Sequence, residues 1–211
     1  MPLSRDFYAR SSVSTAPDLL GRLLVSEIGS QRLIGRIVEV EAYLGEEDAA
    51  SHAFRGPTTR NRSMFGPPGH AYVYIIYGIH TCLNIVTGQA GKGEAVLIRA
   101  LEPLSGIEVM QRHRGGRPLR QLTSGPGKIC QALAIDKSLD GHDLCAGQRL
   151  WLEAGERPDE ILCAGPRVGV RGDDRALARA WRFFLAENPF VSRSPLNRQC
   201  EVINSLSHRN I

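Results

Sequence analysis

Apolar and polar residues alternate along residues 32–44, where the chain reads RLIGRIVEVEAYL. A period of two places successive side chains on opposite faces of an extended backbone, so this stretch is predicted to be a half-buried β-strand. Further strands are predicted in AYVYIIYG, HTCLNIVTG and EAVLIRALEPL, the first two paired as a hairpin. Short strands are predicted in DLCAGQRLWLEAG and GPRVGVRG.

Apolar residues recur at helical spacing in four other stretches. In SSVSTAPDLLGRLLVSEI, a Ser or Thr cap and Pro17 in the first turn predict a helix with an apolar stripe of Leu19, Leu20, Leu23 and Leu24. The other predicted helices are SGIEVMQRHR, DDRALARAWRFFLA and SGPGKICQALAI, which opens with Ser124 as its cap. Since regular βαβ alternation is lacking, we predict an α+β fold: a mainly antiparallel, curved β-sheet core surrounded by helices, with a protruding β-hairpin.

Two segments lack such periodicity. Residues 45–70 are polar and rich in Gly and Pro, so they are predicted to form a long loop with one helical turn at EEDAASH; loops of this length are usually functional or disordered. The stretch from about residue 191 is polar and is expected to be a partly ordered tail. A length of 211 residues suits one domain, residues 1–211.

The composition argues against several classes of protein. Neither a run of about 18 apolar residues nor an N-terminal stretch of the signal-peptide type occurs, so we expect no membrane span and a location in the cytoplasm or nucleoid. Five scattered cysteines without a CxxC pair are typical of reduced thiols rather than of disulfides or a zinc site. The segment SGPGK lacks the spacing of a P-loop, which argues against nucleoside triphosphate binding.

The basic residues are mostly arginines, because only three of the 26 Lys and Arg residues are lysines. Arginine suits phosphates and base edges, although a GC-rich genome also favours Arg codons. Two arginine clusters are candidate contacts for nucleic acid. One lies in the long loop (Arg55, Arg60 and Arg62), and the other lies in a Gly/Pro-containing loop where a solvated surface is the simpler interpretation (Arg112, Arg114, Arg117 and Arg120).

The predicted strand that ends at Tyr43 carries candidate chemistry. Alternation places Glu39, Glu41 and Tyr43 on one face, opposite three apolar residues. A carboxylate beside an aromatic ring at a strand end is a reasonable general base, and a solvated acidic face is the alternative. Asp48 and His52 are spaced as a metal-binding pair, but no third ligand follows. We therefore predict no metal site and favour His52 as a flat, hydrogen-bonding ring near Tyr43.

Three of the five tyrosines lie in YVYIIYG. Alternation puts Tyr72 and Tyr74 on one face and Tyr77 on the other, next to a glycine at the predicted hairpin tip. Tyr72 is interpreted as a core residue. A ring on a protruding turn faces water unless it has a partner, so Tyr77 is predicted to contact something outside the chain.

Several of these blocks, in their order and spacing, resemble a known enzyme family. They are IVEVEAYLG, His52, RNRSMF followed by PPG, YVYIIYG, the LN of HTCLNI, VLIRALEPL, SGPGKICQALAI and PRVGV. Together they look like the alkyladenine (3-methyladenine) DNA glycosylases, of the vertebrate N-methylpurine glycosylase type, over roughly residues 7–190. The hairpin departs from vertebrate members at Ile79 and His80, where bulkier side chains are typical.

The resemblance implies a monofunctional DNA repair hydrolase. Such an enzyme flips an alkylated or deaminated purine out of double-stranded DNA (3-methyladenine, 7-methylguanine, hypoxanthine or ethenoadenine) and hydrolyses its N-glycosidic bond. Glu41 would activate the attacking water, which Arg99 and the main-chain carbonyl of Val168 would help to hold. Neither a metal nor an organic cofactor is expected. Lyase activity is not expected either, since none of the three lysines (Lys92, Lys128 and Lys137) lies on a predicted pocket strand.

The same resemblance implies how DNA is contacted. Tyr43, His52 and Tyr74 would sandwich the flipped base, and Asn84 would exclude the 2-amino group of guanine. Tyr77 would intercalate and fill the gap in the duplex. Phosphates would be bound by Arg60, Arg62, Arg99 and Lys128, and by Ser124 near a helix N-terminus.

Two alternatives stay open at this point. A non-catalytic module of the same fold would bind damaged or single-stranded nucleic acid with Glu41 as a solvated strand residue. An RNA-directed member would differ only in its substrate. In either case we expect a monomer that does not contact a membrane.

Overall fold

Nine antiparallel strands form one sheet within residues 1–203, the part of the chain that the computed structural model describes. The strands are β1 (Leu23–Ile28), β2 (Gln31–Tyr43), β3 (Ala71–Ile76), β4 (His80–Thr87), β5 (Glu94–Ser105), β6 (Leu150–Glu153), β7 (Leu162–Gly165), β8 (Arg182–Leu185) and β9 (Glu201–Val202). Their order is β3-β4-β5-β2-β8-β7-β9, and β1 pairs with β2 and β6. Register shifts between β2 and β5 bend the sheet.

Short α-helices pack around this sheet. Those in the described residues are α1 (Arg5–Tyr8), α2 (Ser12–Leu19), α3 (Ile107–His113), α4 (Pro126–Ala132) and α5 (Asp174–Ala178). Helix α2 contacts β2, and α4 contacts β4 and β5. Between them lies a continuous apolar core that includes Leu19, Val40 and Ile129. The predicted α+β class with a mainly antiparallel, curved sheet is therefore confirmed.

Strand β2 is the central element of the sheet. It lies between β5 and β8 and also pairs with β1. Val40 belongs to the apolar core, yet Glu39 and Glu41 on the opposite face are also fully buried. The alternative of a solvated acidic face is therefore wrong, because the segments around Val168 and Ser192 cover that face.

The first predicted helix ends before its apolar stripe does. Helix α2 stops at Leu19, and Gly21 has a left-handed φ of +84°. Leu23 and Leu24 belong to β1, and Pro17 lies in the last turn of α2 rather than the first. The leucine spacing fits a helix, but the backbone of β1 pairs with both β2 and β6, so tertiary pairing overrides the local pattern.

Three other predicted elements differ from the structure. The stretch DDRALARAWRFFLA is not one helix, since α5 ends at Ala178 and the following residues form β8. The stretch GPRVGVRG is not a strand, because β7 ends at its first residue, Gly165. The N-cap of α4 is Gly125 and not Ser124, and no side chain caps it.

The predicted hairpin and long loop are confirmed. Strands β3 and β4 pair up to Ile76 and His80, and the tip between them contains Tyr77 (φ 54°) and Gly78 (φ 74°). The long loop consists mainly of turns, and its helical element is a 3-10 helix at Arg62–Phe65 rather than the helical turn predicted at EEDAASH.

The predicted tail is described in part. Beyond residue 191 the chain forms a 3-10 helix (Pro195–Arg198) and β9, which pairs with β7. The remainder of that prediction, residues 204–211, lies outside the described residues. Within residues 1–203, no helix combines the length and hydropathy needed to cross a membrane.

Candidate active site

One row of side chains crosses five strands and brings predicted site residues to one face of the sheet. Neighbours in this cross-strand row are Tyr72 (β3), Asn84 (β4), Leu97 (β5), Glu41 (β2) and Arg182 (β8). Residues directly opposite each other in paired strands share a face, so Asn84 and Glu41 are two strand spacings, roughly 10 Å, apart. The Asn84 amide is buried and donates to the Tyr72 carbonyl at 3.2 Å, which fixes it in the row.

The Glu41 carboxylate is fully buried and contacts three donors. Its Oε1 accepts a 2.6 Å hydrogen bond from the main-chain N–H of Val168, and its Oε2 accepts one of 2.8 Å from the Tyr43 hydroxyl. The Nη1 of Arg99 lies 3.4 Å from Oε1 and donates to the Val168 carbonyl at 3.4 Å. The fold thus brings together Glu41, Arg99 and Val168, the three residues to which the family resemblance assigns a catalytic role.

Glu39 and two arginines extend this group into a buried charge network. Glu39 accepts hydrogen bonds from Arg99 Nε and Arg182 Nη1, both at 3.1 Å, and from Ser192 at 2.8 and 2.9 Å. Burial opposes the charge of Arg99, but Glu41 and Glu39 more than offset this and raise its pKa. Arg99 spans two carboxylates and is only 8% exposed, so its charge is used inside the protein, whereas the predicted phosphate contact would need it at the surface.

Four rings form an aromatic slot beside Glu41: Tyr43, His52, Tyr72 and Tyr74. Tyr72 and Tyr74 are stacked, with centroids 5.3 Å apart, and His52 meets Tyr74 edge to face at 4.6 Å. Tyr72 is buried, as predicted for a core residue, but its hydroxyl also lies 3.0 Å from His52 Nδ1. Tyr72 therefore positions a ring of the slot.

The His52 and Tyr74 rings touch each other in this structure. A flat base between two rings needs two contact distances, about 7 Å in all, whereas these centroids are 4.6 Å apart. As they stand, these two rings therefore leave no room for a base between them. Space exists on the His52 side, because a cavity of about 630 Å³ there is lined by Ala49, Ser51, Phe54, Arg55, Thr58 and Asp173.

Asp48 and Arg167 support the slot from behind, and neither role was identified from the sequence. Arg167 donates to both oxygens of Asp48, at 2.6 and 2.8 Å, and to the Ala42 carbonyl at 3.0 Å. Its guanidinium also lies 4.8 Å from the Tyr43 ring centre. The two residues are 119 positions apart, so no local pattern connects them.

Asp48 does not form the metal-binding pair with His52 that its spacing suggested, because it is paired with Arg167. In the part of the chain that the structure describes, no group of three His, Cys, Asp or Glu residues is placed to hold a metal ion.

Burial, and then the negative charge of Glu41, raise the pKa of Tyr43 well above its usual value. Its phenol therefore keeps its proton at neutral pH and donates to Glu41. Tyr43 thus has two contacts at once, since its hydroxyl orients the carboxylate while its ring forms one side of the slot.

The predicted DNA-contacting side chains lie at the surface near the hairpin. Tyr77 is 81% exposed, and Ile79 beside it is 77% exposed. Arg60 and Arg62 are exposed on the long loop, and Arg60 Nη2 donates to the Ile75 carbonyl at 3.0 Å. Arg60 therefore ties the long loop to the hairpin strand just before its tip.

Ser124 and Lys128 lie beside the same hairpin. Lys128 Nζ donates to the Ser124 hydroxyl at 3.3 Å, and a Cβ on Gly127 would stand 3.3 Å from the His80 Cβ. Burial, and then the positive charges of Arg114 and Arg193, lower the pKa of Lys128. Lys128 thus belongs to a positively charged surface next to the hairpin, as a phosphate contact requires.

Comparison with known proteins places the chain among the DNA glycosylases, the hydrolases that release bases from DNA. The model of the methylpurine-DNA glycosylase (MPG) family matches residues 6–189. The chain belongs to this family.

Curated relatives support the same assignment. The chain is 50% identical to a protein of Carboxydothermus hydrogenoformans over 92% of its own length and 100% of that protein. It is 48% identical to one of Methanocella arvoryzae, covering 90% of this chain and 96% of that protein. Both are named "Putative 3-methyladenine DNA glycosylase". The predicted family is confirmed, whereas these prokaryotic relatives do not show the vertebrate type.

Proposed function

We propose that the protein excises alkylated and deaminated purines from double-stranded DNA by hydrolysis. A water molecule beside Glu41 attacks C1′ of the damaged nucleotide as the N-glycosidic bond breaks and the base departs with the bonding electrons. Glu41 accepts the proton of that water, and its negative charge stabilises the positive charge that develops on the sugar. The observation that carries the proposal is the buried Glu41 carboxylate in the same cross-strand row as Tyr72 of the aromatic slot.

The surroundings of Glu41 support its role as the base. The Val168 N–H and the Tyr43 hydroxyl fix both oxygens, so the carboxylate needs no reorganisation during the reaction. Arg99 donates a hydrogen bond to the Val168 carbonyl, and in the proposed mechanism these two groups orient the water. The Tyr43, His52 and Tyr74 rings stack on the flipped purine, and Asn84 on the floor crowds a 2-amino group, which disfavours unmodified guanine.

A hydrolytic rather than amine-mediated mechanism is supported by the positions of the lysines. Lys137 Nζ donates to Asp140 and to the Val73 carbonyl, and Lys128 donates to Ser124. Lys92 lies in the turn before β5. An amine nucleophile would have to reach C1′ next to Glu41, and within residues 1–203 none of these lysines forms a hydrogen bond or ion pair with Glu41, so the expected product is an intact abasic site. We also expect the enzyme to act as a monomer without a cofactor.

The test uses a duplex with a single hypoxanthine or 1,N6-ethenoadenine. After incubation with the protein, hot alkali is expected to break the strand at the lesion, while samples without alkali stay intact because no lyase step occurs. An absence of alkali-labile sites on every damaged purine would overturn the proposal. An RNA duplex with the same lesion tests the RNA-directed alternative, which predicts base release there.

The wedge role of Tyr77 gives a prediction for duplex DNA. Both Tyr77→Ala and Tyr77→Gly should slow excision from a duplex by roughly tenfold to a hundredfold, since one stacking contact of about 1–3 kcal/mol is lost. Excision from single-stranded DNA should fall much less, because no gap must be filled. The rates are measured under single-turnover conditions, and a Tyr77→Ala variant as active on duplex as the parent would contradict the wedge.

The two Tyr77 variants should also differ in stability. Tyr77 has a left-handed φ of 54°, which costs a residue with a Cβ about 1 kcal/mol. The Gly variant should therefore be about 1 kcal/mol more stable than the Ala variant in urea denaturation. Equal stabilities would contradict this prediction and show that the backbone at position 77 leaves the left-handed region in the Ala variant.

A further inference from the structure

The buried charges around the active site are balanced by ion pairs. Glu39 and Glu41 are matched by two guanidiniums, those of Arg99 and Arg182. Asp48 is matched by Arg167 behind Tyr43, and Arg179 lies 3.8 Å from the same carboxylate. Each arginine of these groups therefore has a carboxylate within ion-pair distance.

Arg60 is the exception beside the slot. Its guanidinium lies 5.8 Å from the centre of the Tyr74 ring, and its hydrogen bond to the Ile75 carbonyl keeps it there. Among residues 1–203, no carboxylate forms an ion pair with Arg60. Its positive charge also affects His52, another ring of the slot. Burial is the larger cause of the lowered pKa of His52, and the charge of Arg60 is the second. The slot therefore contains a neutral imidazole next to a fixed positive charge.

Arginines thus contact two of the rings that would stack on a base. Arg167 lies over Tyr43 at 4.8 Å, and Arg60 lies over Tyr74 at 5.8 Å. An aromatic face attracts cations through its negative quadrupole, and a guanidinium already bound there repels a second cation. This matters because purine nucleotides alkylated at N3 or N7 carry a positive charge, whereas hypoxanthine and ethenoadenine nucleotides do not.

We propose that Arg60 is a specificity-determining residue that biases the aromatic slot toward uncharged purine lesions and against cationic ones. This inference rests on the proposed function. A cationic base in the slot meets the unneutralised Arg60 charge across the Tyr74 ring, whereas a neutral base gains the same stacking without that repulsion. Cationic purines are still substrates, because their glycosidic bonds are intrinsically weak, but they gain less from the slot than its ring content suggests.

The test compares single-turnover excision of 7-methylguanine and 3-methyladenine with that of hypoxanthine and ethenoadenine. Replacing Arg60 by Gln should raise the ratio of cationic to neutral excision about fivefold, the size expected for one partly screened like-charge contact. Arg60→Lys should keep the parent ratio, because the charge remains. If Arg60 also binds a phosphate, the loss of that contact lowers all four excision rates alike and therefore cancels in the ratio.

The matched control is Arg62→Gln, which removes a positive charge from an exposed side chain on the same loop. It should lower all four rates together and leave the ratio unchanged. An unchanged ratio in Arg60→Gln, or an equal change in Arg62→Gln, would overturn the inference while the proposed function stands. A parent protein that excises none of the four lesions would instead overturn the proposed function, and the inference with it.

Discussion

The Glu41→Gln variant is expected to lose base excision by roughly a thousandfold, the scale of a missing general base. Glutamine has nearly the same shape and its carbonyl oxygen can still accept the hydrogen bond from Val168 N–H, so the fold of β2 should persist. However, an amide cannot take the proton of the attacking water, and it removes the negative charge that stabilises the sugar cation. The rate is measured with enzyme in excess over a hypoxanthine duplex, so that it reports the chemical step.

Binding separates this loss from a loss of structure. The variant should still bind the lesion duplex within a few-fold of the parent, as measured by fluorescence anisotropy, because Tyr77 and the surface arginines are intact. Glu27→Gln is the matched control, since Glu27 is exposed on β1, and it should leave the rate unchanged. A Glu41→Gln rate within tenfold of the parent would exclude Glu41 as the base and indicate that another group activates the attacking water.

Asp48→Asn is expected to lower the free energy of unfolding by about 3–5 kcal/mol, because it leaves the buried Arg167 charge without a counter-ion. Both side chains of this pair are 0% exposed, so water cannot replace the lost partner. For a chain of this size the loss corresponds to a fall in Tm of roughly 10 °C. The excision rate should also fall at temperatures at which the variant is still folded, since Arg167 contacts the Tyr43 ring and precedes Val168.

Asp18→Asn provides the comparison for this prediction. Asp18 forms an ion pair of similar length with Arg10, at 2.7 Å against 2.6 Å, but its side chain is 50% exposed. Exposed pairs contribute about 0–1 kcal/mol, so this variant should unfold close to the parent's midpoint in urea. Similar losses in the two variants would mean that burial does not set the strength of the Asp48–Arg167 pair.

Much of the fold could be predicted because its signals are local. The alternation in IVEVEAY specifies β2, and the turn residues around Gly78 specify the hairpin. The same local signals failed where a neighbouring strand decides the outcome. Leu23 and Leu24 fit a helical stripe, and the RFFL of β8 follows a helical pattern, yet both pair with strands that are distant in sequence.

The candidate site shows the same difference between local signals and contacts between distant segments. Glu41, Tyr43 and His52 lie in one short stretch, so their types and order could suggest the chemistry that is proposed for them. The residues that hold them could not, because Arg182 pairs with Glu39 across 143 positions and Arg167 pairs with Asp48 across 119. A buried arginine and an exposed one look alike in a sequence, so only the folded chain separates Arg167 from Arg171 beside it.

The cross-strand row has a consequence for how the protein becomes active. Its members come from positions 72, 84, 97, 41 and 182, so the row is complete only when β8, which follows the other four strands in the chain, has paired with β2. Contacts between such distant segments form slowly, since the entropy of closing long loops is lost before they are made. A chain still emerging from the ribosome can therefore form its hairpin and expose Tyr77 before the row that contains Glu41 is complete, and recovery of excision after refolding should report the last step of sheet assembly.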